Sequence, residues 1–298
     1  MENKKFIYQN ATGPVSIKLT NDYLFKALMQ ENQNVLKHII CSLLHTAPDN
    51  VTNISVDNPI ILGERIDNKD VILDINVSFN NGERINLEMQ VVNEYNWPER
   101  STYYACRNFT VLNKGEDYDM AKTVYQVGIL DFTPIQDHPK LFSVYKLMEV
   151  NDHYPYTENF TICTLDLTNI HLADERDREY NIDRWASFFK ANTWEDIKML
   201  AEQYSAIDDA ATTIYKLSED ERIRQQCEAR EDYEIRQRSL NRRIRQREEK
   251  IEQQDRIIEK NERTIEEKER AIEEKERTID QQAKRIAELE ALLAKQSS

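Results

Sequence analysis

Proline does not occur after Pro155, nor glycine after Gly128. These two residues disfavour a helix interior most strongly, so the C-terminal half contains nothing to stop a helix once it has begun. From Asp183 onward the apolar residues Trp185, Phe188, Phe189, Trp194, Ile197, Leu200, Tyr204, Ile207, Ala211 and Ile214 recur at helical intervals, and the aromatics among them read most simply as core. Farther on, Ile244, Ile251, Ile258, Ile265, Ile272, Ile279, Ile286 and Leu293 follow one another at an unbroken spacing of seven. A seven-residue apolar period predicts a left-handed coiled coil. The positions three residues later are weak seam residues (Arg247, Gln254, Asn261, Lys268, Lys275, Gln282), with an apolar Leu289 only near the end. Ile257, Thr264, Ala271, Thr278 and Leu292, each just before a seam residue, partly compensate. A lone solvated helix held by pairs such as Glu266 with Arg270 is the alternative, but it gives no reason for strict isoleucine registry. Self-association into a homo-oligomer is therefore expected.

Charge divides the chain in the same place. Of 298 residues, those up to Leu217 carry 20 basic and 32 acidic side chains, a net of −12; the remainder carries 20 and 22, a net of −2. An acidic body is thus followed by a nearly neutral, highly charged arm. Any contact with nucleic acid must rest on a local basic patch. No stretch approaches 18 apolar residues, so no membrane-spanning helix is expected. The N-terminal MENKKFIYQN lacks the apolar segment of a secretory signal, and Cys41, Cys106, Cys163 and Cys227 are scattered without a C-x-x-C pair. Reduced thiols and a cytoplasmic location are expected. His38 and His45 read as ordinary helix histidines, not metal ligands.

The body opens with a predicted amphipathic helix over 20–44, capped by Thr20 or Asn21 with Asp22 in its first turn. A strand region over 54–62, broken at Pro59, follows. Two strands are then unusually clear. Segments 71–79 (VILDINVSF) and 84–92 (RINLEMQVV) both alternate with period two, separated by Asn80-Asn81-Gly82. A two-residue loop would set Asp74 opposite Met89 and mix the two faces. A three-residue loop with Gly82 left-handed sets Asp74 opposite Glu88 and gathers Ile75, Val77, Ile85, Leu87 and Met89 on one face. The second register is the expected one. After the hairpin come a predicted helix over 100–112 and strands over 123–132, 140–150 and 159–167.

Two carboxylates facing each other raise one another's pKa unless a positive charge lies between them. A hard divalent ion such as Mg²⁺ takes carboxylate oxygens and fits the pair, and it can assist in-line attack on a phosphodiester. Gln90 shares their face and is suited to orienting a water, though it brings no charge. A sheet face that is polar by pattern alone would show the same residues.

Asp74 followed by Glu88-Met89-Gln90 resembles the D…(E/D)-x-K motif of PD-(D/E)xK nucleases, with Gln at the Lys position. The surrounding series is more specific. Leu19-Thr20-Asn21-Asp22 with Phe25-Lys26, Lys69 before Ile72-Leu73-Asp74-Ile75, Arg100 with Tyr103-Tyr104, Gly115 with Tyr118, Ile129-Leu130-Asp131-Phe132, Trp185, Ser218 and Ala229-Arg230-Glu231 are similar to the Rpn-type recombination-promoting nucleases, or PD-(D/E)xK family transposases, over roughly 20–240. The resemblance implies an α/β fold, a restriction-endonuclease-like mixed sheet flanked by helices, here extended by a long C-terminal α-helical coiled coil. Together with the seven-residue repeat it divides the chain into a nuclease-like domain over 1–180, a helical extension over 181–240 and the coiled-coil arm over 241–298, the last a departure from the glycine-repeating tails often seen in the family. It further implies Mg²⁺-dependent (or Mn²⁺-dependent) DNA endonuclease activity: Asp74 and Glu88 as metal ligands, Glu64 as a possible additional ligand, Gln90 orienting water or phosphate, and Lys26, Arg100 and Tyr104 holding DNA phosphate. Gln for Lys removes a cation from the transition state, so slow or conditional cleavage is expected. The competing reading is a nuclease-like interaction protein, catalytically weak or inactive and assembled through its arm.

Overall fold

The computed structural model describes residues 7–60, 74–80, 82–109 and 117–296. The first helical region is two helices, not the single one that the periodicity predicts: α1 (Asp22–Glu31) and α2 (Gln33–Leu43). Asn32 separates them with an extended backbone at φ −128° and ψ 91°, ending α1 while its side chain accepts from the Val35 amide to cap α2. The apolar spacing runs through the break, which is why periodicity alone misses it. Asn21 caps α1 by accepting from the Tyr23 and Leu24 amides.

A short strand β1 (Ser55–Val56) and the hairpin β2 (Ile75–Phe79) and β3 (Glu83–Gln90) follow. Of the described part of the expected 54–62 strand region, only Ser55–Val56 forms a strand, and residues 61–73, with Glu64 and Lys69, lie outside the described residues. Helix α3 (Trp97–Phe109) leads into β4 (Val124–Leu130), β5 (Phe142–Lys146) and β6 (Phe160–Asp166). The six strands form one mixed sheet in the order β1-β2-β3-β4-β6-β5. The central pairs β3/β4 and β4/β6 are parallel, and the pairs towards both edges are antiparallel. Helices α4 (Glu175–Glu179), α5 (Ile182–Lys190), α6 (Trp194–Gln203), α7 (Ser205–Glu219) and α8 (Glu221–Gln296) complete the chain.

The hairpin adopts the three-residue-loop register. Phe79 pairs with Glu83 and Ile75 with Leu87, and Gly82 takes φ 95°, a conformation that glycine reaches without strain. Ile75, Val77, Phe79, Ile85, Leu87 and Met89 are buried in one core with side chains of α1, α2, α5 and α7. Helix α3 covers the other face, packing on β4 and β6. Its seat is Gly128 in β4, where an added Cβ would lie 2.0 Å from the Trp97 ring. The absence of that one carbon lets the start of α3 approach the strand.

Residues Met1–Arg238 form one compact unit and Ser239–Ser298 a second. The second is helical throughout its described length, with Ile251, Ile258, Ile265, Ile272 and Ile279 each more than half exposed. No helix among the described residues is long and apolar enough to cross a membrane.

Candidate active site

The polar face of the hairpin is where the residues singled out by sequence come together. Asp74 directly precedes β2 and continues its register opposite Glu88 of β3. Its carboxylate accepts from Asn86 Nδ2 at 2.6 Å and Asn76 Nδ2 at 3.3 Å. Asn86 also donates to Asn76 Oδ1, and Gln126 of β4 donates to Asn86 Oδ1 at 3.4 Å. Asn86 and Gln126 are buried, so a chain of side-chain amides crosses three strands beneath α3 and fixes one carboxylate oxygen of Asp74. The main chain at Asp74 is held as well. Its carbonyl accepts from Lys26 Nζ at 2.8 Å and from Asn58 Nδ2 at 3.1 Å. Lys26, projecting from α1, is only 3% exposed; burial lowers its pKa, and the Asp74 charge acts the other way.

Glu88 is buried and meets Arg100 of α3, whose Nε (3.0 Å) and Nη2 (2.6 Å) both converge on Oε1. Arg100 also lies 3.5 Å from Glu94, and its guanidinium stands over the Tyr104 ring at 5.6 Å. Burial pushes the Glu88 carboxyl up; Arg100 pulls it back through charge and hydrogen bond, while Asp74 and Glu94 add to the rise. The net remains raised. The cost of burying the charge is the largest contribution to that rise. Burial works against the Arg100 charge, and Glu88 more than restores it. Gln90, at the end of β3, donates to the Val92 carbonyl at 3.2 Å, while its Oε1 is buried without a partner. A buried acceptor without a partner, two residues along the strand from Glu88, is the kind of group that a water or a cation satisfies. Two carboxylates and an amide oxygen suit a hard divalent ion that keeps several waters. Among the described residues no group of three His, Cys, Asp or Glu side chains is disposed to hold a metal.

The structure thus brings Lys26, Asp74, Glu88, Gln90, Arg100 and Tyr104 into one neighbourhood, with Lys26 on the main chain of Asp74 and Arg100 on the carboxylate of Glu88. Sequence reasoning missed the amide chain, although Gln126 stands out as a lone polar residue in the apolar run VYQVGIL. It also missed a polar cleft of about 380 Å³ bordered by Lys18, Asn21, Val91, Asp131, Lys190 and Arg238. Val91 places that cleft next to the end of β3, at the carboxyl ends of the parallel strands, where α/β sheets commonly bind ligands. These residues are dispersed in sequence, so no local pattern marks them.

A mixed sheet flanked by helices, with an acidic pair on its central hairpin, defines a nuclease-like α/β protein. Comparison with protein families is specific: the chain matches the PD-(D/E)XK nuclease family transposase over residues 19–243, and it belongs to that family. No curated protein and no solved structure matches it.

Proposed function

We propose that this chain is a divalent-metal-dependent DNA endonuclease hydrolysing phosphodiester bonds, with Asp74 and Glu88 as metal ligands and copies joined through the C-terminal arm. The observation that carries this reading is the pair of carboxylates set opposite each other on the hairpin, Asp74 held by Asn86 and Glu88 by Arg100, on a chain of the PD-(D/E)XK nuclease family. A bound Mg²⁺ or Mn²⁺ would supply Lewis-acid activation of water and phosphate. The chain's own groups do the rest. Asn86 and Asn76 hold one Asp74 oxygen, which orients the carboxylate. Lys26 and Asn58 fix the strand beneath it. Arg100 holds Glu88 and brings positive charge to a phosphate, with Tyr104 supporting the guanidinium. Gln90 Oε1 orients the attacking water, and Glu64 stands as a further ligand on sequence grounds. With an amide in place of the motif lysine, turnover is slow.

Calorimetry with Mn²⁺ tests the assignment, together with Mg²⁺-dependent nicking of supercoiled plasmid. Asp74→Asn and Glu88→Gln each lose carboxylate-dependent binding and nicking; unchanged binding and full activity in both variants would sink the mechanism. A second reading, a nuclease-like interaction protein without useful catalysis, draws on Gln90 and on the net −12 up to Leu217. It is favoured if the parent chain binds no divalent ion.

A further inference from the structure

The seven-residue ladder carries more than self-association, because its flanking charges distinguish one arrangement of two copies from the other. We propose that a second copy of this chain, parallel and in register, covers the isoleucine stripe. The inference rests on the proposed self-association and adds chain number and direction to it.

The described arm is a continuous helix, so positions seven apart share one face. Ile251, Ile258, Ile265, Ile272 and Ile279 are exposed along it. The intrahelical ion pairs Glu252–Arg256, Glu259–Arg263 and Glu266–Arg270 join the residue just after each of three successive isoleucines to one four positions farther on, away from the stripe. That outer face neutralises itself. The residues flanking the stripe are of another kind.

Four positions after the isoleucines from Ile244 to Ile272 stand Glu248, Asp255, Glu262, Glu269 and Glu276, all acidic, and Ala283 follows Ile279. One position before, the charged residues near the start of the ladder are Arg243 and Lys250. In a parallel two-stranded coil these flanks meet each other. Arg243 then faces Glu248 of the second copy and Lys250 faces Asp255 of the second copy, and no pair of like sign forms between these flanks. In an antiparallel coil each flank meets its own kind, so the five acidic residues would line up against five more.

Layer matching gives the same answer by a different route. The positions three after each isoleucine are Gln254, Asn261, Lys268, Lys275 and Gln282. Parallel chains set isoleucine against isoleucine and polar against polar in alternate layers. Antiparallel chains would set the isoleucines beside polar residues, with Leu289 as the apolar exception. β-branched residues at the first seam position also favour two strands, and polar residues at the second fix the register. Both copies of the Met1–Arg238 unit are then attached to the same end of the paired arms.

Disulfide trapping in the full chain tests this, in a Cys106→Ser background because Cys106 is the exposed native thiol. Sedimentation gives a dimer mass. Ile251→Cys chains cross-link to each other on oxidation, since equivalent seam residues face each other within disulfide reach. The double substitution Arg243→Glu with Lys250→Glu raises the dimer dissociation constant about tenfold or more. A monomer mass at micromolar concentration overturns self-association and this inference with it. A dimer mass in which Ile251→Cys chains do not cross-link to each other but do cross-link to Gln282→Cys chains overturns the parallel direction and leaves self-association standing. A trimer or tetramer mass overturns the two-stranded count.

Discussion

Gly128 and Glu88 face one another across the β3/β4 pair, and both owe their environment to helix α3. At Gly128 the helix comes so close that a methyl group has no room beside Trp97. Overpacking of this kind costs about 1–3 kcal/mol. Gly128→Ala therefore lowers the urea midpoint of unfolding, and it displaces the helix that carries Arg100. At Glu88 the same helix supplies the counter-charge. Removing one partner of a buried pair leaves the other uncompensated, which costs about 3–5 kcal/mol where burial is complete. The Arg100 side chain retains 21% exposure, so the loss from Arg100→Gln is expected nearer 2 kcal/mol. A divalent ion repays part of it under the proposed function. The thermal midpoint of Arg100→Gln should thus rise more on adding Mn²⁺ than that of the parent chain. An equal rise in both separates Glu88 from metal binding.

Two junctions between elements depend on single polar side chains. Asn32 caps α2 and donates to Thr213 Oγ1 of α7 at 2.8 Å, so it both breaks the helix and ties the break down. Asn32→Ala costs about 1 kcal/mol through the lost cap, read by denaturant unfolding. At the start of α8, Glu234 packs near Asp22 of α1, which Arg230 holds in an ion pair. Burial first, then the Asp22 charge, raises the Glu234 carboxyl to about 7, against the opposing pull of Arg238 and Arg230. The folded chain keeps this proton where the unfolded chain, at an ordinary value of 4.5, has released it. Its contribution to stability is present below pH 4.5 and is lost as pH rises towards 7. Glu234→Gln stays neutral and removes this loss, so its midpoint should fall less than the parent's between pH 5 and pH 8. The same elements show what sequence makes legible. The hairpin register was readable because strict alternation and Gly82 leave one way to gather the apolar residues. The Asn32 break was hidden because α1 and α2 keep the apolar spacing of a continuous helix. The pairing of Asp74 with Glu88 followed from the register, whereas the amide chain behind it needed the parallel β4, whose alignment no local pattern encodes.

Across the whole chain, charge and packing divide in nearly the same place, with consequences for how the two parts work. The net −12 up to Leu217 repels DNA at long range, so under the proposed function binding would depend on the few cations near the hairpin and its neighbouring cleft. Few phosphate contacts imply a shallow salt dependence, since each contributes a slope of about −0.9. Under the proposed function a single unit of this kind would hold a duplex weakly, and two units on one pair of arms would hold it for longer by raising the local concentration of the second site. Cutting both strands requires two attacks, so the arm should matter more for the second cut than for the first. Among the described residues the buried core extends no farther along the chain than Cys227, and a chain ending at Leu240 therefore keeps every residue of that core. This truncated chain should bind Mn²⁺ as the full chain does, sediment as a monomer and convert supercoiled plasmid to the nicked form. Conversion of nicked to linear plasmid should slow by more than the first cut does. If both cuts slow equally, the arm contributes general affinity and does not bring the two sites together.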